Sequence, residues 1–512
     1  MCQSAERYHG PDPYLVLISM QCDNPTVEAV ASEKIIKPHP LGTFAIFAAI
    51  FLITFLPSFL ARFGLLDDYY ILDLTLTKGA WCPEIVGNMM AQGRPLNLPF
   101  IAAAFSSLHG IGDIVYLRVI ATLGIALLAT LFFRHSMHVG WNRSQSFALS
   151  LLVFSQLPFQ VLSGWGLVGF LGAIRIPLAY VSYFLAKYTA EKPVKSLGFA
   201  GMYLATLSCL TAAMAMHQTA AMFFWIAMAQ DALAPKRWEM SGKLLAVVFS
   251  TFGAACCIEL LISLFGKKNY AEYLIQDRKD LTLDPLQKLV WFFVEPLNSC
   301  LNFNNLNASF LVAIGFAALI IAGLTLFVRK LDPQNLLKQR VVLLLALPFL
   351  CYTPNLIVAE SWASYRTLYA LSTLMVIYLF CAIQGIGAKL SMSTRAITLT
   401  VFLAALLNLF CANRTVETYI AEPQVKELEL VRYRLTNESS GKALKHLEEQ
   451  MQPPKGKGPF DMWNYDKQTM LPKWDDVIAP AAFYDEFGRA SSSRPFVGKA
   501  MVHLLLLENS GK

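Results

Sequence analysis

The chain is 512 residues long, 55% of them hydrophobic and only 15% charged, well below the roughly 25% charge of soluble domains. That balance excludes an ordinary soluble enzyme and points to an integral membrane protein. The formal net charge of +7 sits in the connections between apolar runs, so no nucleic-acid partner is inferred from it.

Residues 1–40 read as a cytoplasmic segment. Their apolar stretch, Tyr14 to Met20, is too short for a signal-peptide core, so no removed presequence is expected. Apolar runs follow near 41–61, 113–133, 145–163, 167–186, 197–216, 218–234, 244–265, 308–328, 341–358, 367–388 and 396–412. Hydrocarbon about 30 Å thick needs about 20 apolar residues per helical crossing, and unsatisfied backbone groups exclude open sheet in lipid. These eleven runs are therefore predicted as transmembrane helices of one module, 41–412. The shorter apolar segment 98–108, between Asn97 and His109, reads as a re-entrant or surface helix.

Basic residues set the orientation. With the N-terminus inside, the inner connections hold Arg134 and Arg143; Lys187, Lys192 and Lys195; Lys236, Arg237 and Lys243; Arg329, Lys330, Lys338 and Arg340; Lys389 and Arg395. The short outer connections hold Arg366 alone. Two loops, 62–112 and 266–307, and the tail 413–512 are thus expected outside.

In the second loop, Leu286 to Phe293 carries Lys288 and Trp291 beside an apolar face and predicts an interfacial helix over 286–294. The tail opens on a helical stretch, Gln424 to Leu435, breaks at 453–458, and ends in Val502 to Leu507, which reads as a strand. The expected class is an all-α polytopic membrane protein with a small α+β extracytoplasmic C-terminal domain at 413–512. Cys82 and Cys300 fall in outer loops, where a disulfide could join them in an oxidising compartment. No internal repeat is visible, which argues against an inverted-repeat transporter.

Several residues can carry chemistry. Asp67-Asp68, followed by Tyr69-Tyr70, stand at the outer boundary of the first run. Neighbouring carboxylates disfavour double ionisation, so one could act as a base beside a proton-sharing partner and take a proton from an attacking hydroxyl. The plainer alternative is a solvated cap opening the next helix. Arg94, between Gly93 and Pro95, would offer a stiffly presented guanidinium to a phosphate or snorkel to headgroups. Glu360 and Arg366 flank Ser361-Trp362-Ala363-Ser364-Tyr365 at the outer mouth of the ninth and tenth runs, as a second phosphate clamp or as an internal ion pair.

Arg118 and Arg175 lie within runs, where a charge needs a partner or a water-filled cavity. Arg175 is the deeper and the better site candidate; Arg118 could simply snorkel. His217-Gln218 occupies the tight outer turn between the fifth and sixth runs, able to hydrogen-bond a sugar or phosphate or to serve only as a turn. Trp165, Trp291 and Trp362 suit an aromatic belt. A Walker-type loop, a His/Cys metal cluster and a Gly-x-Ser-x-Gly elbow are all missing from the sequence. Group transfer on the outer face would then draw its energy from an activated, lipid-linked sugar.

Taken in order, Asp67-Asp68, Asn88 to Pro95, Tyr116-Leu117-Arg118-Val119, Leu157-Pro158-Phe159-Gln160, His217-Gln218-Thr219-Ala220 and Trp362-Ala363-Ser364-Tyr365-Arg366 resemble the polyprenyl-phosphate-dependent GT-C glycosyltransferases. The pattern is most similar to the serotype-converting (Gtr-type) O-antigen glucosyltransferases, over about residues 41–435. His217 and Thr219 depart from that family's Tyr-Gln-Pro-like turn.

The resemblance implies transfer of a hexose, glucose in the best-known members, from a polyprenyl-phosphate carrier to a glycan acceptor at the periplasmic face of a bacterial inner membrane. It casts Asp67 or Asp68 as the base and Arg94, Arg175 and Arg366 as phosphate ligands, with Glu360, His217, Gln218 and Tyr365 around the substrate. No obligatory metal is expected, since fixed arginines can offset phosphate charge; the acid pair leaves room for a divalent cation. The rival classes are a lipid-linked glycan flippase or transporter and a non-enzymatic envelope-assembly protein.

Overall fold

The structure is a computed structural model that describes residues 39–65, 67–235, 241–273, 282–304, 309–331, 337–359, 361, 363–437 and 495–509. Glu360, Trp362 and the predicted break at 453–458 lie outside the described residues. Within them the chain is helical and contains no strand.

Seven helical stretches are long and apolar enough to cross a membrane: Ile111–His138, Gly166–Glu191, Leu197–Met216, Gly242–Tyr273, Phe310–Leu331, Tyr369–Lys389 and Thr394–Lys426. Each covers one predicted run. The other four runs are broken: Pro40–Thr54 with Leu56–Leu60, Arg143–Phe154 with Leu157–Gly164, Gln218–Ala221 with Phe224–Ala232, and Leu337–Leu350 with Thr353–Ile357. The second of these pairs is bent by 61° and counts as an eighth span if taken as one.

Pro57, Pro158 and Pro354 each sit in the first turn of the second helix of their pair. A proline is tolerated there because its missing N–H would have had no intrahelical partner, but it cannot continue a preceding helix. Apolarity runs unbroken across these prolines. Eleven unbroken helices are therefore not found: among the described residues seven, or eight with the bent pair, are long and apolar enough to cross a membrane.

Three further expectations are corrected. Residues 502–507, read as a strand, belong to the helix Pro495–Asn509. Its buried Met501, Leu504 and Leu505 have the i, i+3, i+4 spacing of a helix face, which the run of leucines concealed. Cys82 and Cys300 are free thiols, both buried. A helix forms at 285–297, as Pro285–Phe292 continued by a π-turn to Leu297, but Lys288 does not flank an exposed face: it is buried and donates to the Ser361 hydroxyl at 3.1 Å.

Two features hold the bundle rigidly enough to carry a site. Close helix crossings rest on glycine: a Cβ at Gly124 would lie 2.2 Å from Ala173, and one at Gly385 would lie 2.2 Å from the carbonyl oxygen of Gly323. Small residues at crossings are the main route to tight packing where lipid removes the hydrophobic drive between helices. A buried polar tie also joins Ile114–His138, Gly166–Glu191 and Phe224–Ala232. In it Asp231 accepts from Tyr183 at 2.8 Å and Lys187 at 2.7 Å and lies 2.9 Å from His135 Nε2. His135 is roughly 25 Å along its helix from Arg118, at 1.5 Å per residue, so both ends of that helix are anchored.

Candidate active site

The site is built on the turn that leads from the first apolar run into the helix Asp67–Lys78. Asp68 is fully buried there. Its carboxylate accepts three backbone N–H bonds, from Leu65 at 3.0 Å, Gly166 at 3.0 Å and Leu167 at 2.7 Å. Trp165, the N-cap of Gly166–Glu191, provides no side-chain cap; Asp68 supplies it from a distant stretch of the chain. A negative charge at a helix N-terminus meets both the orphan N–H groups and the helix dipole. Burial pushes the Asp68 pKa up to about 6, offset in part by those N–H donors and by the Arg118 charge.

Arg118 does not snorkel. It is fully buried and donates to the carbonyl oxygens of Ser58 and, at 2.7 Å, Phe63, with its guanidinium 3.9 Å above the Phe63 ring. It thus clamps the segment 58–63 that delivers the acid pair.

Asp67 faces elsewhere. Its half-exposed carboxylate lies 3.8 Å from Arg366 Nη1, and the Arg366 guanidinium lies 4.6 Å from the centre of the Trp165 ring. The two adjacent acids therefore have separate partners: backbone amides for Asp68, a guanidinium for Asp67.

Arg366 belongs to a larger basic group. Arg175, fully buried, donates to Val168 O at 3.2 Å, reaches the Tyr369 side chain and feels the charge of Arg366. His217 closes the helix Leu197–Met216 and opens Gln218–Ala221, with Nδ1 2.8 Å from the Thr219 hydroxyl. Its pKa is held well below the ordinary histidine value, first by burial and then by the charges of Arg175, Arg94 and Arg366. At neutral pH it is a neutral imidazole among three guanidiniums.

Arg94 is delivered by a helix stop. In the segment after Pro83–Ala91, Gly93 adopts φ +66° and donates to Met90 O at 3.0 Å, while the Arg94 N–H reaches back to Met89 O at 2.8 Å. This is a Schellman ending with glycine at the left-handed position and Pro95 following it. The Arg94 side chain is steadied by Gln92 Oε1 at 2.8 Å.

Of the remaining predicted residues, Tyr365 is buried in the 3-10 turn Tyr365–Thr367 beside Arg366. Gln218 turns away: its amide donates at 2.5 Å to Glu259, which also accepts from Ser263. Glu360 lies outside the described residues. Sequence reasoning undervalued Trp165 and missed Tyr369, because aromatic residues near a boundary are expected whatever the function. It also passed over Glu259, although a carboxylate in a long apolar run is a signal in itself.

No protein-family model matches the chain, and no curated protein does. Among solved structures, it is similar to the archaeal oligosaccharyltransferase AglB from Archaeoglobus fulgidus, described in complex with an inhibitory peptide and a dolichol-phosphate. The identity is 13% and the TM-score 0.44, over 81% of this chain and 60% of that one. The chain thus spans less than two thirds of that protein's length.

Proposed function

We propose that this protein is a membrane glycosyltransferase that moves a hexose from a polyprenyl-phosphate carrier to a cell-surface glycan such as O-antigen, at the periplasmic face of a bacterial inner membrane. The observation that supports this reading is the convergence of Arg94, Arg175, His217 and Arg366, drawn from four distant stretches, with Asp67 on Arg366.

In this reading Asp67 is the base, being the accessible carboxylate, and Asp68 is its positioning residue. The acceptor hydroxyl oxygen bonds to the anomeric carbon as the carbon–oxygen bond to the carrier phosphate breaks. The bonding pair leaves with the phosphate, and Asp67 takes the hydroxyl proton. The guanidiniums of Arg94, Arg175 and Arg366 offset the charge that grows on the departing phosphate. Neutral His217 contributes a hydrogen bond without adding charge. The exposed apolar face of Pro285–Phe292 and its π-turn, with Leu286, Val290 and Phe293, suits the polyprenyl chain.

The test is transfer by purified protein in lipid nanodiscs, supplied with polyprenyl-phosphate glucose and the glycan of the host strain. Removing a general base typically costs 10²–10⁴-fold, so Asp67→Asn should lose at least about 10² in rate at unchanged thermal stability. Full transfer by Asp67→Asn, or none by the wild-type protein with any hexose donor, would sink the reading.

A further inference from the structure

A polar cleft of about 480 Å³ lies beside the C-terminal helix Pro495–Asn509 and is not used by the transfer chemistry. Its lining includes Arg62, His109, Asp113, Arg432 and Glu508. Glu508 lies near the end of the helix Pro495–Asn509 and occupies the cleft with its carboxylate. One oxygen accepts from the Ile111 N–H at 3.2 Å and lies 3.7 Å from Arg62; the other lies 3.4 Å from Arg432. Asp113 is engaged locally, accepting from the His109 N–H at 2.7 Å.

Two features suggest that this carboxylate stands in for another. The arginine side chains are 65% and 41% exposed, and exposed pairs of this kind contribute about 0–1 kcal/mol each. Glu508 is thus placed by the packing of its helix, and a competing anion displaces it at small cost. The cradle is also well sited. His503 lies 2.7 Å from Asp73, while Glu508, further along the same helix, reaches Arg62 and Ile111. The C-terminal helix therefore runs antiparallel to Asp67–Lys78, and the cradle falls at the end of that helix which carries Asp67.

We propose that this cradle is an anion subsite for the acceptor, taking the carboxylate of an acidic sugar. Binding stands independently; only the assignment of that sugar to an acceptor rests on the glycosyltransferase reading. A planar carboxylate can give one oxygen to Arg62 and the Ile111 N–H and the other to Arg432. The additional charge of a phosphate would meet the Asp113 carboxylate, and like-charge juxtaposition is unfavourable.

The probes are glucuronate, glucose and inorganic phosphate, titrated calorimetrically into the full-length protein in detergent. Glu508→Gln should bind glucuronate about tenfold or more tightly than wild type, a gain of about 1.4 kcal/mol or more, with phosphate weaker and glucose silent. Adding Arg432→Ala should remove the gain. No gain in Glu508→Gln, a gain that survives loss of Arg432, or equal binding of glucose would overturn the proposal. If Glu508→Gln fails to fold, the wild-type protein decides: rising glucuronate should free the Glu508 side chain and speed amide exchange at Ile111, whose N–H it holds, and in the last turn around Glu508, with the rest of the helix unchanged; unchanged exchange at Ile111 counts against the subsite. Neither readout uses sugar transfer, so a failed transfer assay and a failed subsite remain distinguishable.

Discussion

Asp67 and Arg366 come from opposite ends of the membrane module and meet at 3.8 Å, with the guanidinium resting on the Trp165 ring. This contact joins the accessible acid to the basic group that contains Arg94, Arg175 and His217. In the proposed reaction it couples the proton acceptor to the phosphate clamp.

Arg366→Lys keeps the charge but loses the planar fork and much of the ring contact, so it is not a conservative change here. Initial transfer rates should fall by about 10-fold to 10³-fold, consistent with the loss of a positioned donor in a low-dielectric site. Trp165→Leu should fall less, by about 2-fold to 10-fold, since a cation–π contact contributes about 0.5–1 kcal/mol and more when desolvated. Equal losses in the two variants would show that the ring, not the fork, does the positioning.

Asp68 has a folded-state pKa of about 6 against an ordinary value of 3.8, raised mainly by burial. For an acid shifted upward, the unfolded chain loses its proton first. Stability from this group is fully present below the unfolded value and is lost as pH rises toward and through about 6, by an amount on the order of 3 kcal/mol. Denaturation between pH 4 and pH 7 should show a downward slope in wild type that is missing in Asp68→Asn. Parallel pH profiles would refute the assignment.

Gly166 has no room for a side chain. A Cβ there would lie 2.6 Å from Ile114 Cγ2 and 3.3 Å from both Asp68 carboxylate oxygens. Gly166→Ala should cost about 1–3 kcal/mol through overpacking, read as a lower unfolding midpoint. Ile114→Ala removes the blocking methyl, so the double variant should cost less than the sum of the two single changes.

Arg118→Met should release the segment 58–65, which the guanidinium holds through the carbonyls of Ser58 and Phe63. Amide exchange in that segment should rise at least about tenfold, a difference of about 1.4 kcal/mol in local opening. Protection of Pro495–Asn509 should change little, because the Arg62–Glu508 pair is exposed and the helix is held by its buried Met501, Leu504 and Leu505.

The long helices and the charged residues near their ends were legible in the sequence because few charges are tolerated in lipid, and those present stand out. Arg175 is such a residue, while His217 and Arg366 stood out in short outer connections and Arg94 by its place between Gly93 and Pro95; the structure gathers all four. The division of labour between Asp67 and Asp68 was not legible. Sequence neighbours look like a pair, but consecutive helix positions do not face each other, and these two open a helix. Their partners, Arg366 and the amides of Gly166 and Leu167, are tertiary facts with no local signature. The broken runs were hidden for a related reason: hydropathy measures composition, whereas Pro57, Pro158 and Pro354 act through geometry.

The cap that Asp68 places on Gly166–Glu191 also bears on biogenesis. Two of its three amide donors are synthesised only after the Ile114–His138 helix and the bent pair behind it have emerged. A nascent chain shorter than that holds the Asp68 carboxylate without two of its three amide donors, and Arg366, which rests on the Trp165 ring, is added much later still. The Asp68 cap can close once the chain has passed Leu167, whereas the Asp67–Arg366 contact waits for the second half of the chain.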